Sequence, residues 1–193
     1  MRSLTAPFLA ASSVAFTACG ATLDSHHGPL AAPLSQQAPL RTPDIHFTPT
    51  DQPVADAMLR LARVTPDDVV YDLGSGDGRI PILAAQKYGA RGVGIELDPK
   101  LIALSKEVAR EGEVSDRVTF IEGDLFTADL SPATVVTLYL SATINNRLEA
   151  KLRRELRPGA RIVSHQFPIA NWNPEETVRV DKEDLFLWTI PRR

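Results

Sequence analysis

Val69-Val70-Tyr71-Asp72-Leu73-Gly74-Ser75-Gly76-Asp77-Gly78-Arg79-Ile80 is the stretch that decides the fold. A short run of strand-forming residues gives way to three glycines at alternate positions, and a helical pattern opens at Arg79. A chain that leaves a strand, turns sharply and enters a helix presents its backbone to a ligand, and glycine permits both the turn and the close approach. Several nucleotide cofactors are held this way, and the spacing separates them. A nicotinamide fingerprint requires G-x-G-x-x-G, whereas counting from Gly74 places Arg79 at the last glycine position. The pattern is instead D-x-G-x-G-x-G, with Asp72 and Asp77 bringing carboxylates to a place where a pyrophosphate would be repelled. Negative charge there suits a sulfonium cofactor with a positively charged amino-acid tail. That reading makes Asp72, Gly74, Ser75, Gly76, Asp77 and Gly78 candidate cofactor residues for S-adenosyl-L-methionine.

On both sides of this turn helical and strand patterns alternate. Val54, Met58, Leu61 and Ala62 recur at helical spacing behind Thr50-Asp51-Gln52-Pro53, which predicts a helix over 52–63. Further helices are expected over 79–88, 98–111 and 144–156, and strands over 92–96, 117–121, 134–140 and 160–166. Such alternation argues for an α/β fold, a parallel sheet with helices on both faces. The end departs from it: Thr177–Val180, a polar Asp181–Asp184 and Leu185–Ile190 predict an antiparallel hairpin at the sheet edge.

Two more acids stand at the carboxyl ends of predicted strands, where open parallel sheets bind ligands. Glu96 follows Gly74 by 22 residues and is placed to accept both hydroxyls of a ribose, which fits either adenosine cofactor. Asp124, in Glu122-Gly123-Asp124-Leu125, is a candidate acceptor for an adenine amino group, with Leu125 packing on the ring. Each acid alone is as readily a turn or capping residue. Their order along successive strands favours one nucleoside site.

Composition bounds the rest. With 193 residues, 44% hydrophobic and 23% charged, the chain has room for one globular domain and an appendage. A net charge of −3 argues against nucleic acid as a partner. One cysteine excludes an internal disulfide framework and a thiolate metal cluster, and no metal is expected. That cysteine, Cys19, closes a mostly apolar stretch after Arg2, and Phe16-Thr17-Ala18-Cys19 resembles a lipoprotein lipobox. Residues 1–19 therefore read as an export signal, an alanine-rich leader, or the product of a start codon set too early. Residues 20–46, with Pro29, Pro33, Pro39 and Pro43, read as a disordered linker. A lipid on Cys19 would tether the domain to a membrane, whereas supply of S-adenosylmethionine favours the cytoplasm.

The quoted strand, loop and helix, together with Phe47-Thr48-Pro49-Thr50, Gly92–Glu96, Gly123-Asp124-Leu125, Val135–Leu140 and Arg161–His165, resemble bacterial class I methyltransferases. More narrowly they resemble relatives of the eukaryotic FAM173-type lysine methyltransferases, which modify the ATP synthase c subunit and adenine nucleotide translocase. The resemblance spans residues 47–193 as a methyltransferase domain. It implies a Rossmann-like seven-stranded sheet in the order 3-2-1-4-5-7-6, S-adenosylmethionine as methyl donor and a protein lysine as acceptor. It also implies the cofactor-loop role for Asp72, Gly74, Gly76 and Gly78, the ribose role for Glu96 and the adenine role for Asp124. Relatives are expected to carry Leu-Pro after the Tyr-Leu of the fourth strand, where this chain has Ser141-Ala142.

Methyl transfer from a sulfonium needs alignment and a dry pocket, with neither metal nor covalent nucleophile. Tyr139 is the candidate acceptor-pocket residue, against simple strand packing. Thr48 and Thr50 are candidates for closing over the cofactor or for capping the first helix. Asn145 and Asn146 are expected to cap the helix that starts at 144 rather than to line the acceptor side, His165, near the substrate edge, to be a satisfied structural residue, and Trp172 to cover the sheet end rather than to wall an acceptor pocket. The competing functions are methylation of a small molecule and, outside enzymes, a lipid-anchored binding protein with an inactive methyltransferase fold.

Overall fold

The computed structural model describes residues 47–192. The predicted leader and linker, 1–19 and 20–46, lie outside the described residues. Within them the elements run α1 (Gln52–Leu61), β1 (Val69–Leu73), α2 (Arg79–Tyr88), β2 (Arg91–Glu96), α3 (Pro99–Glu111), β3 (Val118–Glu122), β4 (Val135–Leu138), α4 (Ala142–Glu155), β5 (Arg161–His165), β6 (Glu176–Val180) and β7 (Glu183–Thr189).

The strands form one seven-stranded sheet in the order β3-β2-β1-β4-β5-β7-β6. Strands β1 to β5 are parallel, and β7 runs antiparallel between β5 and β6. This is the strand order that the resemblance implies, with the expected C-terminal hairpin. The central strands β1, β4 and β5 are buried almost throughout, whereas the edge strands β3 and β6 are largely exposed. Strands covered on both faces read as continuous apolar runs, which is why 69–73 and 135–138 are so plain in the sequence.

Strand alternation sorts the core into two layers. Val70, Val135, Val163, Leu185 and Leu187 face α1 and α2, and pack with Val54, Met58, Ile80 and Leu83. Tyr71, Leu73, Val136, Leu138, Ile162 and Trp188 face the other way, onto Leu148 and Leu152 of α4. Residues two apart share a face, so Asp72, Thr137 and His165 project toward the α1 side.

Of the boundaries that differ from expectation, three have clear local reasons. Helix α1 ends at Leu61 because Arg63 turns to positive φ. Strand β4 stops at Leu138, the last residue to pair with both neighbours, so Tyr139 and Leu140 lie beyond the ladder. Helix α4 starts at Ala142 because the Ser141 hydroxyl accepts from the Ile144 N–H at 3.3 Å. This overturns capping by Asn145 and Asn146, which sit inside the first turns. The Asn145 Nδ2 instead donates to Ser164 Oγ and to the Phe167 carbonyl, and Asn146 Oδ1 accepts from the Ala170 N–H. Both side chains anchor the loop after β5.

Candidate active site

The glycine loop wraps the carboxyl end of β2. Gly74 and Ser75 both donate their N–H to the Ile95 carbonyl, and Gly78 closes the turn on Ser75. At Gly76, φ is +54° and a Cβ would collide with the Phe47 ring, so neither the backbone nor the space admits a side chain. At Gly94 of β2 a Cβ would fall 2.5 Å from Ser75 Oγ, so bare backbone there lets the loop sit on the strand. Ser75 Oγ is itself buried without a hydrogen-bond partner.

Glu96 ties the strand end to this loop. One carboxylate oxygen accepts from the Gly76 N–H at 2.9 Å, and the other from Leu97 and Asp98 at 2.7 and 2.9 Å. Three backbone donors fix the carboxylate, and the partly exposed side chain keeps lone pairs for further donors.

Asp72 is different in kind. It is 4% exposed and accepts from the Thr137 hydroxyl at 2.7 Å. Burial pushes its pKa up to about 7; the Thr137 hydrogen bond opposes the shift, and the charges of Glu96 and Asp77 add to it. Its carboxyl is thus poised between acid and anion at neutral pH.

The negative charge expected from Asp77 is taken up by its neighbour. Arg79 binds it through Nε at 3.0 Å and Nη2 at 2.6 Å, while Nη1 donates to the Thr50 carbonyl at 2.8 Å. Arg79 thereby pins the segment before α1 over the loop. Thr50 acts through its carbonyl here, and Asp51, the residue that precedes α1, makes no side-chain cap. Phe47, Thr48, Pro49, Thr50, Asp72, Gly74, Ser75, Asp77, Arg79 and Tyr139 line one cleft.

Asp124 and Leu125 lie beyond β2, outside that lining. The Asp124 carboxylate accepts from the Phe126 N–H at 2.9 Å, and its carbonyl takes two more N–H groups of the turn that follows. Leu125 belongs to the buried core.

On the other flank, Tyr139 stacks on His165 with ring centroids 3.9 Å apart. Burial raises the tyrosine pKa, reinforced by the charges of Glu183 and Asp51. His165 is 3% exposed, and burial lowers its pKa against the pull of Glu183. Its Nε2 stands 3.4 Å from Glu183 Oε2, but the groups are not aligned as a hydrogen bond. Both ring nitrogens and that oxygen are buried without a hydrogen-bond partner among the described residues, so His165 is not the satisfied structural residue expected. Trp172 packs on the α4 core, with its carbonyl accepting from Trp188 Nε1 and the Arg153 guanidinium over its ring, away from the cleft.

Sequence reasoning passed over Phe47 as a loop contact, Arg79, Thr137 and Glu183. Thr137 carried a signal, a hydroxyl inside an apolar strand; Glu183 carried none, being one acid among several in a turn.

The family model of the ANTKMT methyltransferase domain matches residues 72–176. A protein-lysine N-methyltransferase of Saccharolobus islandicus is 41% identical over 144 residues, covering 74% of this chain and 89% of that protein. The adenine nucleotide translocase lysine N-methyltransferase of Mus musculus is 36% identical over 162 residues, covering 83% of this chain and 69% of that protein. A crystal structure from Salinibacter ruber, described as an RNA methyltransferase in complex with S-adenosyl-L-homocysteine, is 51% identical with a TM-score of 0.74, covering 76% of this chain and 95% of that one.

Proposed function

Since the chain belongs to the ANTKMT methyltransferase domain family, we propose that it N-methylates the side-chain amine of a protein lysine. It is an S-adenosylmethionine-dependent methyltransferase. The kinship with protein-lysine methyltransferases carries the acceptor, and the pair of acids across the glycine loop, Glu96 clamped by three N–H groups and Asp72 buried beside it, carries the cofactor.

The residues present fit that cofactor. Glu96 has lone pairs left for two ribose hydroxyls, and the Phe47 ring packs on the bare backbone of Gly76 and covers the loop beside it. Ser75 Oγ is a buried polar atom without a hydrogen-bond partner among the described residues. S-Adenosylmethionine supplies, when bound, a methyl group on a cationic sulfur. Asp72 meets the cationic end of the cofactor: a positive charge beside it favours the anion, so at neutral pH binding drives off the proton that burial holds there. Asp124 serves the adenine amino group. Tyr139, beside Asp72 and under Thr48 to Thr50, walls the acceptor channel and keeps water from it. Arg79 holds the covering segment down on the loop.

RNA is the competing acceptor, from the description of the Salinibacter protein. A net charge of −3, with Asp51 and Glu183 acting on Tyr139, opposes a polyanion and favours a cation. Incubation with tritiated S-adenosylmethionine and a lysate from cells lacking the enzyme tests this. Label is expected in polypeptide, recovered as methyl-lysine after hydrolysis; label confined to the RNA fraction would overturn the reading.

A further inference from the structure

We propose that Glu183 and His165 complete the acceptor site beside Tyr139, the Glu183 carboxylate receiving the positive charge of the incoming primary amine and His165 holding both neighbours in place. The proposal rests on the lysine reading and names the groups that would recognise the amine.

Strand register brings the two residues together. His165 ends β5 and pairs with Leu185, so Glu183, two residues earlier on β7, lies diagonally past it on the same face. That face is the α1 side, which Asp72 and Thr137 also occupy. A row of polar groups therefore crosses the carboxyl edge of the sheet, from Asp72 by way of Tyr139 to His165 and Glu183. Asp51 stands near the same end, since its charge acts on both Tyr139 and His165.

The polar groups of this corner are left incomplete. Among the described residues both imidazole nitrogens and Glu183 Oε2 are buried without a hydrogen-bond partner, and a buried polar group so left is destabilising. A fold that needed only packing there would place an apolar side chain. The Glu183 side chain is one-third exposed, so one carboxylate spans from the buried imidazole to the surface, where an acceptor arrives. Two acids and an aromatic face form a cation-accepting mouth and an unfavourable one for phosphate. Glu183 binds the amine directly. His165, stacked at 3.9 Å beneath Tyr139 and beside Glu183, is a positioning residue.

The test uses the full chain, tritiated S-adenosylmethionine and a dilution series of lysate protein from cells lacking the enzyme, with S-adenosylhomocysteine affinity measured by calorimetry in parallel. Glu183→Gln, which keeps shape and removes charge, should raise the apparent KM for lysate protein roughly tenfold while cofactor affinity stays within about twofold. Glu183→Asp should recover most of that loss, as a need for charge demands. His165→Phe keeps a ring against Tyr139 but no nitrogen, and should fall between wild type and Glu183→Gln. Wild-type labelling of lysine with an unchanged KM in Glu183→Gln would overturn the proposal alone. So would loss of cofactor affinity in that variant, which would mark a purely structural role. Wild-type label in RNA and none in protein would overturn this proposal and the lysine reading together.

Discussion

The two flanks of the cleft are finished to different degrees. On the flank of β1 and β2, three backbone N–H groups hold the Glu96 carboxylate in place and Arg79 grips Asp77. Beyond β4, Tyr139, His165 and Glu183 are packed together, yet three of their polar atoms have no hydrogen-bond partner among the described residues. Backbone donors are rigid, so the flank proposed for the cofactor is organised by the fold alone; the flank proposed for the acceptor is built from side chains on two strands and a hairpin. A donor common to many enzymes calls for a preset mould, and an acceptor specific to one calls for exchangeable side chains.

The sharpest way to break this contrast is to spoil the mould. Gly76→Val forces a β-branched residue to φ of +54° and into the Phe47 ring, and calorimetry should register no binding of S-adenosylhomocysteine. Retained affinity would show that the loop is less preset than its hydrogen bonds imply.

Asp72→Asn is the next largest. Losing the charge proposed to meet the cofactor's cationic end should weaken S-adenosylmethionine binding by about 2 kcal/mol, roughly thirtyfold. Stability should move the other way. With a folded pKa near 7 against an ordinary 3.8, native Asp72 holds a proton that the unfolded chain has lost, so its contribution to stability falls as pH rises from about 4 to about 7 and is level above. Asp72→Asn escapes that cost, and its Tm relative to wild type should therefore increase over the same interval. A constant difference between the two melting curves would refute the buried acid.

Tyr139→Phe probes the opposite flank, where turnover should drop about tenfold while cofactor affinity changes less than about twofold. Equal losses in both would move Tyr139 to the cofactor side. The smallest effect is expected for Arg79→Gln. The bond to Thr50 and most of the grip on Asp77 disappear, but the loop's own backbone bonds persist, so the cofactor Kd should rise about threefold, roughly 0.7 kcal/mol. A change as large as that of Asp72→Asn would make the covering segment part of the mould.

The cofactor flank was legible because its chemistry is written in consecutive residues. Gly74, Gly76 and Gly78 are spaced by the turn itself, and Glu96 and Asp124 follow strands whose apolar runs announce them. On the flank proposed for the acceptor, the sequence pointed to Tyr139 alone. Asn145 and Asn146 looked like caps because that residue type caps helices, and nothing local disclosed that Ser141 already does so while they hold the loop 166–170. Trp172 packs on the α4-side core and covers the sheet, the role its residue type and place predict.

From residue order alone came the α/β alternation, the terminal hairpin and the glycine loop with its acids, since periodicity and turn chemistry act over a few residues. Tertiary structure alone decided that Asp72 sits near its titration point, because burial depends on what packs above it. It alone placed Glu183 beside His165, 18 positions away in the chain, because only the antiparallel register of β7 on β5 brings them to one face.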